Sequence, residues 1–215
     1  MSTEESSSID TTIILPIHET FQETVQGEGA RVGTPSDFIR LYGCPVRCPW
    51  CDTGYDDGGK SIEFKRRTLA QLLGELRSPH VVITGGEPFI HQQLPLLCNA
   101  LLADQRSVAI ETSGAFWTNI PHEVWITLSP KEHISKQYPV HPQLWKRANE
   151  IKLVIESNAD FNFYGNYLSK LNDPLIFLQP EWNSRKNSIP IVLELLRKHP
   201  YYRLSLQTHK YINVP

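Results

Sequence analysis

Seven short apolar, β-rich runs divide the chain: Phe38 to Leu41, Val81 to Ile83, Val108 to Ile110, Trp125 to Leu128, Ile151 to Ile155, Leu175 to Leu178 and Arg203 to Leu206. Several are continuous rather than alternating, the pattern of strands covered on both faces. Segments of helical period lie between some of them. Leu69, Leu72, Leu73 and Leu76 keep the i, i+3, i+4, i+7 spacing, and so do Ile189, Val192, Leu193 and Leu196, with Pro190 near the expected helix start. Phe161, Tyr164, Leu168 and Leu171 form a weaker stripe, interrupted by Gly165. Strand alternating with helix implies parallel pairing through right-handed crossovers. Six or seven such units fall short of the eight of a closed barrel of roughly 250 residues. The expected fold is therefore α/β, an open or partial (β/α) barrel of about six to seven mostly parallel strands, with its site at the C-terminal strand ends. Residues 114–124 and 130–149 carry several prolines and no clean stripe, so the helical complement is reduced. One domain is expected over residues 13–215. Residues 1–12, rich in Ser, Thr and Glu, read as a disordered tail.

A formal net charge of -2 offers no basic excess for a nucleic-acid backbone. No apolar run is long enough to span a bilayer, and the N-terminus lacks the apolar core of a signal peptide. The expected location is the cytoplasm, which keeps thiols reduced. There, three of the four cysteines crowded into Cys44 to Cys51 point to metal binding rather than to disulfides. The segment Gly43-Cys44-Pro45-Val46-Arg47-Cys48-Pro49-Trp50-Cys51-Asp52-Thr53 follows a predicted strand and contains two prolines, so it is a tight loop on which three thiolates can converge. Structural zinc takes four protein ligands. Cys98 completes an apolar helical stripe with Leu94, Leu97, Leu101 and Leu102, where a free cysteine behaves as a small hydrophobe. Three sulfurs on a cubane that needs four ligands leave one iron open to a chelating molecule. The competing possibility is a zinc knuckle that borrows a histidine.

The Cys-x3-Cys-x2-Cys spacing, with an aromatic residue before the last cysteine, resembles the signature of the radical S-adenosylmethionine (SAM) superfamily. That resemblance implies a [4Fe–4S] cluster on Cys44, Cys48 and Cys51. SAM would chelate the open iron and be cleaved to a 5′-deoxyadenosyl radical. The strand Val81 to Thr84 is followed by Gly85-Gly86-Glu87-Pro88. At this place the loop resembles the family motif that contacts the SAM amino group, through Gly86 and Glu87. Trp50 would lie near the adenine, chiefly through its backbone. Ser129-Pro130-Lys131 and Gln179-Pro180, each at a strand end, match further SAM-contacting positions.

Upstream, Phe21-Gln22-Glu23-Thr24-Val25-Gln26-Gly27-Glu28-Gly29 is a polar loop able to hydrogen-bond a flat heterocycle. Arg40 should share a strand face with Phe38. It needs an anionic partner there, either a substrate carboxylate or a protein carboxylate. Val-Gln-Gly-Glu-Gly, Phe-Ile-Arg-Leu-Tyr-Gly-Cys, Trp-Cys-Asp-Thr, Thr-Gly-Gly-Glu-Pro and Gln-Thr-His-Lys together resemble the 7-carboxy-7-deazaguanine synthase family, from about Phe21 to the chain end. The resemblance implies a lyase that contracts the ring of 6-carboxy-5,6,7,8-tetrahydropterin to 7-carboxy-7-deazaguanine and ammonia, toward queuosine, with SAM reused and Mg2+ required. Hydrogen abstraction at C6 starts the rearrangement, and hydrogen returns from 5′-deoxyadenosine.

Position by position, the resemblance implies substrate contacts at Val25, Gln26, Gly27, Glu28, Arg40, Thr84, His209 and Pro215. It implies a Thr53 hydroxyl on Mg2+, which prefers oxygen. The terminal carboxylate of Pro215 would sit in the site although termini usually fray, so a C-terminal extension is expected to weaken substrate binding. No general base is identified. His209 is a candidate because histidine exchanges protons near neutrality. An electron donor such as flavodoxin or ferredoxin and a homodimer are also implied. Two competing readings are an activase that makes a glycyl radical on a partner protein and a non-catalytic zinc-binding interaction module. Iron and sulfide content against zinc content separates them.

Overall fold

The computed structural model describes residues 10–55, 59–171 and 175–215. Its strands are β1 (Ile14–Val25), β2 (Pro35–Leu41), β3 (Lys65–Thr68), β4 (His80–Gly85), β5 (Ser107–Thr112), β6 (Trp125–Leu128), β7 (Glu150–Ile155), β8 (Leu175–Pro180) and β9 (Arg203–Leu204). They form one open sheet of order β3-β1-β2-β4-β5-β6-β7-β8-β9. The seven apolar runs are β2 and β4 to β9, and each neighbouring pair among them is parallel. Ile39, Leu41, Val81 to Ile83, Ile126, Ile151 and Leu178 are completely or almost completely buried, as strands covered on both faces require.

Two strands had no apolar signal. β1 mixes apolar with polar residues and contains Pro16, and it pairs antiparallel with β2, setting Phe21 opposite Phe38 and Glu19 opposite Arg40. β3 reads Lys-Arg-Arg-Thr and pairs antiparallel with β1. Its charges suit a sheet edge, where they discourage pairing with another chain. The last run is corrected. Only Arg203 and Leu204 are strand, and both are exposed, because β9 is the opposite edge and pairs with β8 alone.

The helices are α1 (Leu69–Glu75), α2 (Leu94–Ala103), α3 (Pro142–Arg147), α4 (Asn158–Leu168), α5 (Arg185–Lys198) and α6 (Thr208–Ile212), fewer than the strands among the described residues. Thr68 starts α1 with a capping box: its hydroxyl accepts from Gln71 N at 3.2 Å, and Gln71 Oε1 accepts from Thr68 N at 2.8 Å. Cys98 is fully buried in α2 beside Leu94, Leu97 and Leu101, a core residue as expected. Pro190 lies inside α5 rather than near its start, because turns at Trp182 and Ser184 begin the helix earlier. Gly165 does not interrupt α4; the helix continues through it, with open space where a side chain would stand.

Asp37 fastens this frame. It is fully buried on β2 and accepts from Glu23 N at 2.8 Å, Ser78 N at 2.8 Å, Ser78 Oγ at 2.7 Å and Arg77 N. It thereby joins the irregular stretch of β1 to the turn that enters β4. Of the expected tail, residues 1–9 lie outside the described residues. Asp10 to Thr12 form a turn in which Thr11 O accepts from Ala70 N of α1 at 3.1 Å. Among the described residues, no helix is long and apolar enough to cross a membrane.

Candidate active site

The loops that follow the C-terminal ends of the parallel strands surround a cavity of about 280 Å3. The cysteine loop leaves β2 and lies across the end of β4. Gly86 N donates to Leu41 O at 3.1 Å and Glu87 N to Gly43 O at 2.9 Å. A Cβ on Gly86 would stand 2.0 Å from Gly43 O, so only glycine lets the two backbones touch. Tyr55 Oη accepts from Gly43 N at 2.7 Å, and Ser135 Oγ donates to Val46 O at 2.8 Å. So held, Cys44, Cys48 and Cys51 are all free thiols lining the cavity.

Burial pushes the Cys44 thiol up to about 11, against the N–H groups of Arg47 and Val46. Burial also raises Cys48, against the Lys131 ammonium. Iron would displace those protons and let the thiolates persist in a half-buried place. Among the described residues no group of three Cys, His, Asp or Glu side chains is set to hold a single metal ion. Three free sulfurs around an open volume fit a cluster body.

Of the residues expected to contact SAM, Trp50, Gly86, Ser129, Lys131 and Gln179 line the cavity. Lys131 Nζ donates to Ser129 O at 2.8 Å and Ser129 Oγ at 2.7 Å. Gln179 Oε1 accepts from Ser205 Oγ at 2.8 Å. The Trp50 ring tilts against His133 at 6.0 Å, and its buried indole N–H has no hydrogen-bond partner among the described residues. Pro130 and Pro180 are buried behind the lining. Glu87 is also fully buried behind it. Its carboxylate accepts from Thr112 Oγ1 at 2.6 Å, Ser113 N at 2.8 Å, Phe89 N at 3.1 Å and Ser113 Oγ. Burial pushes its pKa up and these donors pull it down, with burial prevailing. Its carboxylate binds β4 to β5 and shapes the rim.

Every expected substrate residue lines the cavity, as does Thr53. Phe38 and Arg40 share a strand face, as the alternation requires. Arg40 has the protein carboxylate as partner: Nε donates to Glu19 Oε1 at 2.6 Å, while Nη1 donates to Thr53 Oγ1 at 3.0 Å. Phe21 stacks on Phe38 at 4.7 Å beneath the guanidinium. Opposite, α6 closes on the Gln26–Gly29 turn. Thr208 donates to Gly27 O from both N (3.0 Å) and Oγ1 (2.9 Å), and the His209 ring occupies the space a Cβ on Gly27 would need. Burial lowers the pKa of His209, against the pull of Glu28. Pro215 O accepts from Thr24 Oγ1 at 3.3 Å.

A buried charge network escaped the sequence reading. Lys152, in the middle of β7, donates to Glu28 Oε2 and, at 2.9 Å, to Glu111 Oε2. Gln26 Nε2 donates to Glu111 Oε1 at 3.1 Å. Burial opposes charge on all three groups. Lys152 and a hydrogen bond from Gln207 nevertheless bring Glu28 down to about 2. Glu111 shifts upward, since burial and repulsion from Glu28 and Glu150 outweigh its share of the same cation. Lys152 itself is held firmly protonated by the two carboxylates. The signal was present: a charge inside an apolar run, the argument that singled out Arg40, applies equally to Ile151-Lys152-Leu153 and Ile110-Glu111.

Comparison with known proteins follows the same line. The Radical SAM superfamily matches residues 38–127. A 7-carboxy-7-deazaguanine synthase of Aquifex aeolicus is 38% identical, covering 93% of this chain and 94% of its own length. One from Synechocystis is 38% identical over 94% of this chain and 95% of its own. The Escherichia coli K12 protein of the same name is 36% identical over 93% and 98%. The crystal structure of QueE from Escherichia coli matches with a TM-score of 0.81 at 34% identity, covering 97% of this chain and all of that one.

Proposed function

The chain belongs to the 7-carboxy-7-deazaguanine synthase family of radical SAM enzymes, and we propose how its cavity divides the labour of that reaction. The substrate is 6-carboxy-5,6,7,8-tetrahydropterin, and the products are 7-carboxy-7-deazaguanine and ammonia, a step of queuosine biosynthesis. The cofactors are a [4Fe–4S] cluster and SAM. Cys44, Cys48 and Cys51 would hold the cluster, which when bound supplies the electron that cleaves SAM to a 5′-deoxyadenosyl radical.

The chain's own residues bind, orient and shield. Trp50, Gly86, Ser129, Lys131 and Gln179 line the side given to SAM. Gln26, Glu28 and Glu111 present oxygens to the N–H donors of the aminopyrimidine edge, which two carboxylates sharing one ammonium are suited to accept. Arg40 and Thr53 stand together and would receive the substrate carboxylate, with Mg2+ on the Thr53 hydroxyl. A substrate carboxylate there would offset the repulsion between the Arg40 guanidinium and the metal. Burial favours a neutral His209 imidazole, so it can accept a proton or a hydrogen bond.

The observation that carries this reading is the shared space: the three cysteines and Gln26, Glu28, Arg40 and His209 line one cavity. A glycyl-radical activase would leave those polar groups without a ligand, and a zinc module would need none of them. The reading includes a flavodoxin- or ferredoxin-type donor and a thiol-preserving cytoplasm. It also includes pairing of two copies, supported by the open β9 edge with Tyr201 and Leu204 exposed. Thr53→Ala tests the metal assignment. It should raise the Mg2+ concentration for half-maximal turnover about tenfold, the worth of one lost ligand, with iron and sulfide content unchanged. An unaltered Mg2+ response contradicts the assignment.

A further inference from the structure

We infer that Gln207 is a positioning residue that couples the cluster loop to the pterin-binding side of the cavity, an inference that rests on the function proposed above. Gln207 immediately precedes α6 and is only 7% exposed. Its Nε2 donates to Glu28 Oε1 at 2.8 Å and to Asp52 Oδ2 at 3.0 Å. Its Oε1 accepts from Lys210 Nζ at 3.0 Å, and Lys210 also binds Asp52 Oδ1 at 2.7 Å. The partners fix which way the amide points. An ammonium can only donate, so the carbonyl oxygen must face Lys210, and both N–H groups must then face the two carboxylates.

Asp52 stands between Cys51 and Thr53, on the loop that would carry the cluster. Glu28 belongs to the turn that would read the heterocycle. One neutral amide thus joins two carboxylates from opposite walls. The attachment is doubled, because the next residue, Thr208, donates twice to Gly27 O. The Asp52 end is wet, with 60% of that side chain exposed, whereas the Gln207 end is dry. A loop ordered around its cluster holds Asp52, Asp52 holds Gln207, and Gln207 fixes the Glu28 carboxylate. Linkage makes this reciprocal: what cluster loading gives to pterin affinity, bound pterin returns to the cluster.

Equilibrium dialysis of carboxytetrahydropterin, under anaerobic conditions and without SAM, reads the coupling directly. The natural protein should bind the pterin about tenfold more tightly with its cluster than after the cluster is stripped, the size of one charge-assisted hydrogen bond. Gln207→Leu and Asp52→Ala should bring that ratio close to one while iron and sulfide per chain stay as in the natural protein. Because Asp52 is largely exposed, its variant keeps the test decisive if the buried substitution impairs folding. In the reciprocal readout, pterin should slow iron loss to a chelator in the natural protein and in neither variant. A ratio that survives Asp52→Ala, in protein that still turns over the pterin, overturns the coupling and leaves the proposed function standing. A cluster-loaded natural protein that binds no pterin overturns both.

Discussion

At Lys152 one ammonium serves two carboxylates inside the cavity wall, and no other cation donates to either of them among the described residues. Lys152→Met would leave Glu28 and Glu111 buried without a counter-charge. Breaking such a pair from one side costs about 3–5 kcal/mol. We expect that loss in urea unfolding, together with a raised pterin KM, and Lys152→Arg should recover part of both. A variant as stable as the natural protein would show that the network carries no weight. The same residues mark the limit of what single-chain reading finds. Arg40 was legible because its cationic side chain stands out in an apolar strand. Lys152 stands out equally, but its partners come from Glu28 and Glu111, brought together only by the fold. Glu87 shows the complementary limit: its motif suggests a ligand contact, and the four donors its carboxylate accepts from come from loops whose convergence sequence does not display.

Among the elements, the parallel strands were legible because burial on both faces demands continuous apolar residues. β1 and β3 were not, since β1 mixes polar with apolar residues and β3 has no apolar residue at all. Two predictions concern how elements meet. Gly86→Ala would drive a Cβ into Gly43 O and Cys44 Cβ, displacing the cysteine loop from β4. The purified variant should retain its fold by circular dichroism but lose most of its iron and sulfide; full cluster content contradicts the contact. Asp37→Asn tests the tie between β1, β2 and the β4 entry. Burial pushes the Asp37 pKa up, but its hydrogen bonds from Ser78, Glu23 and Arg77 hold it below the 3.8 of a free aspartate. With the folded pKa depressed, the stabilisation is complete above pH 3.8 and is lost as pH falls through the folded value. The variant should therefore be less stable by about 2–3 kcal/mol at pH 7, and the difference should shrink on acidification below pH 3.8. A gap of constant size in urea unfolding at both pH values would contradict it.

For the whole molecule, an open parallel sheet sends its loops to one rim, so motifs distant in sequence share a cavity. That is why the three loop cysteines, the Gly-Gly-Glu loop and the turn from Gln26 to Glu28 reach one cavity. The closing part was less legible. α6 is short, and Gln207 meets Asp52 across 155 residues of sequence. The central claim is that this rim performs a radical ring contraction with SAM as a reusable cofactor. The most direct measurement is anaerobic incubation of the cluster-loaded protein with 6-carboxytetrahydropterin, SAM, a reductant and Mg2+, following pterin, product, ammonia and SAM together. We expect 7-carboxy-7-deazaguanine and ammonia in equal amounts over many turnovers, with no net consumption of SAM. Iron-replete protein that cleaves SAM yet leaves the pterin unchanged would contradict it.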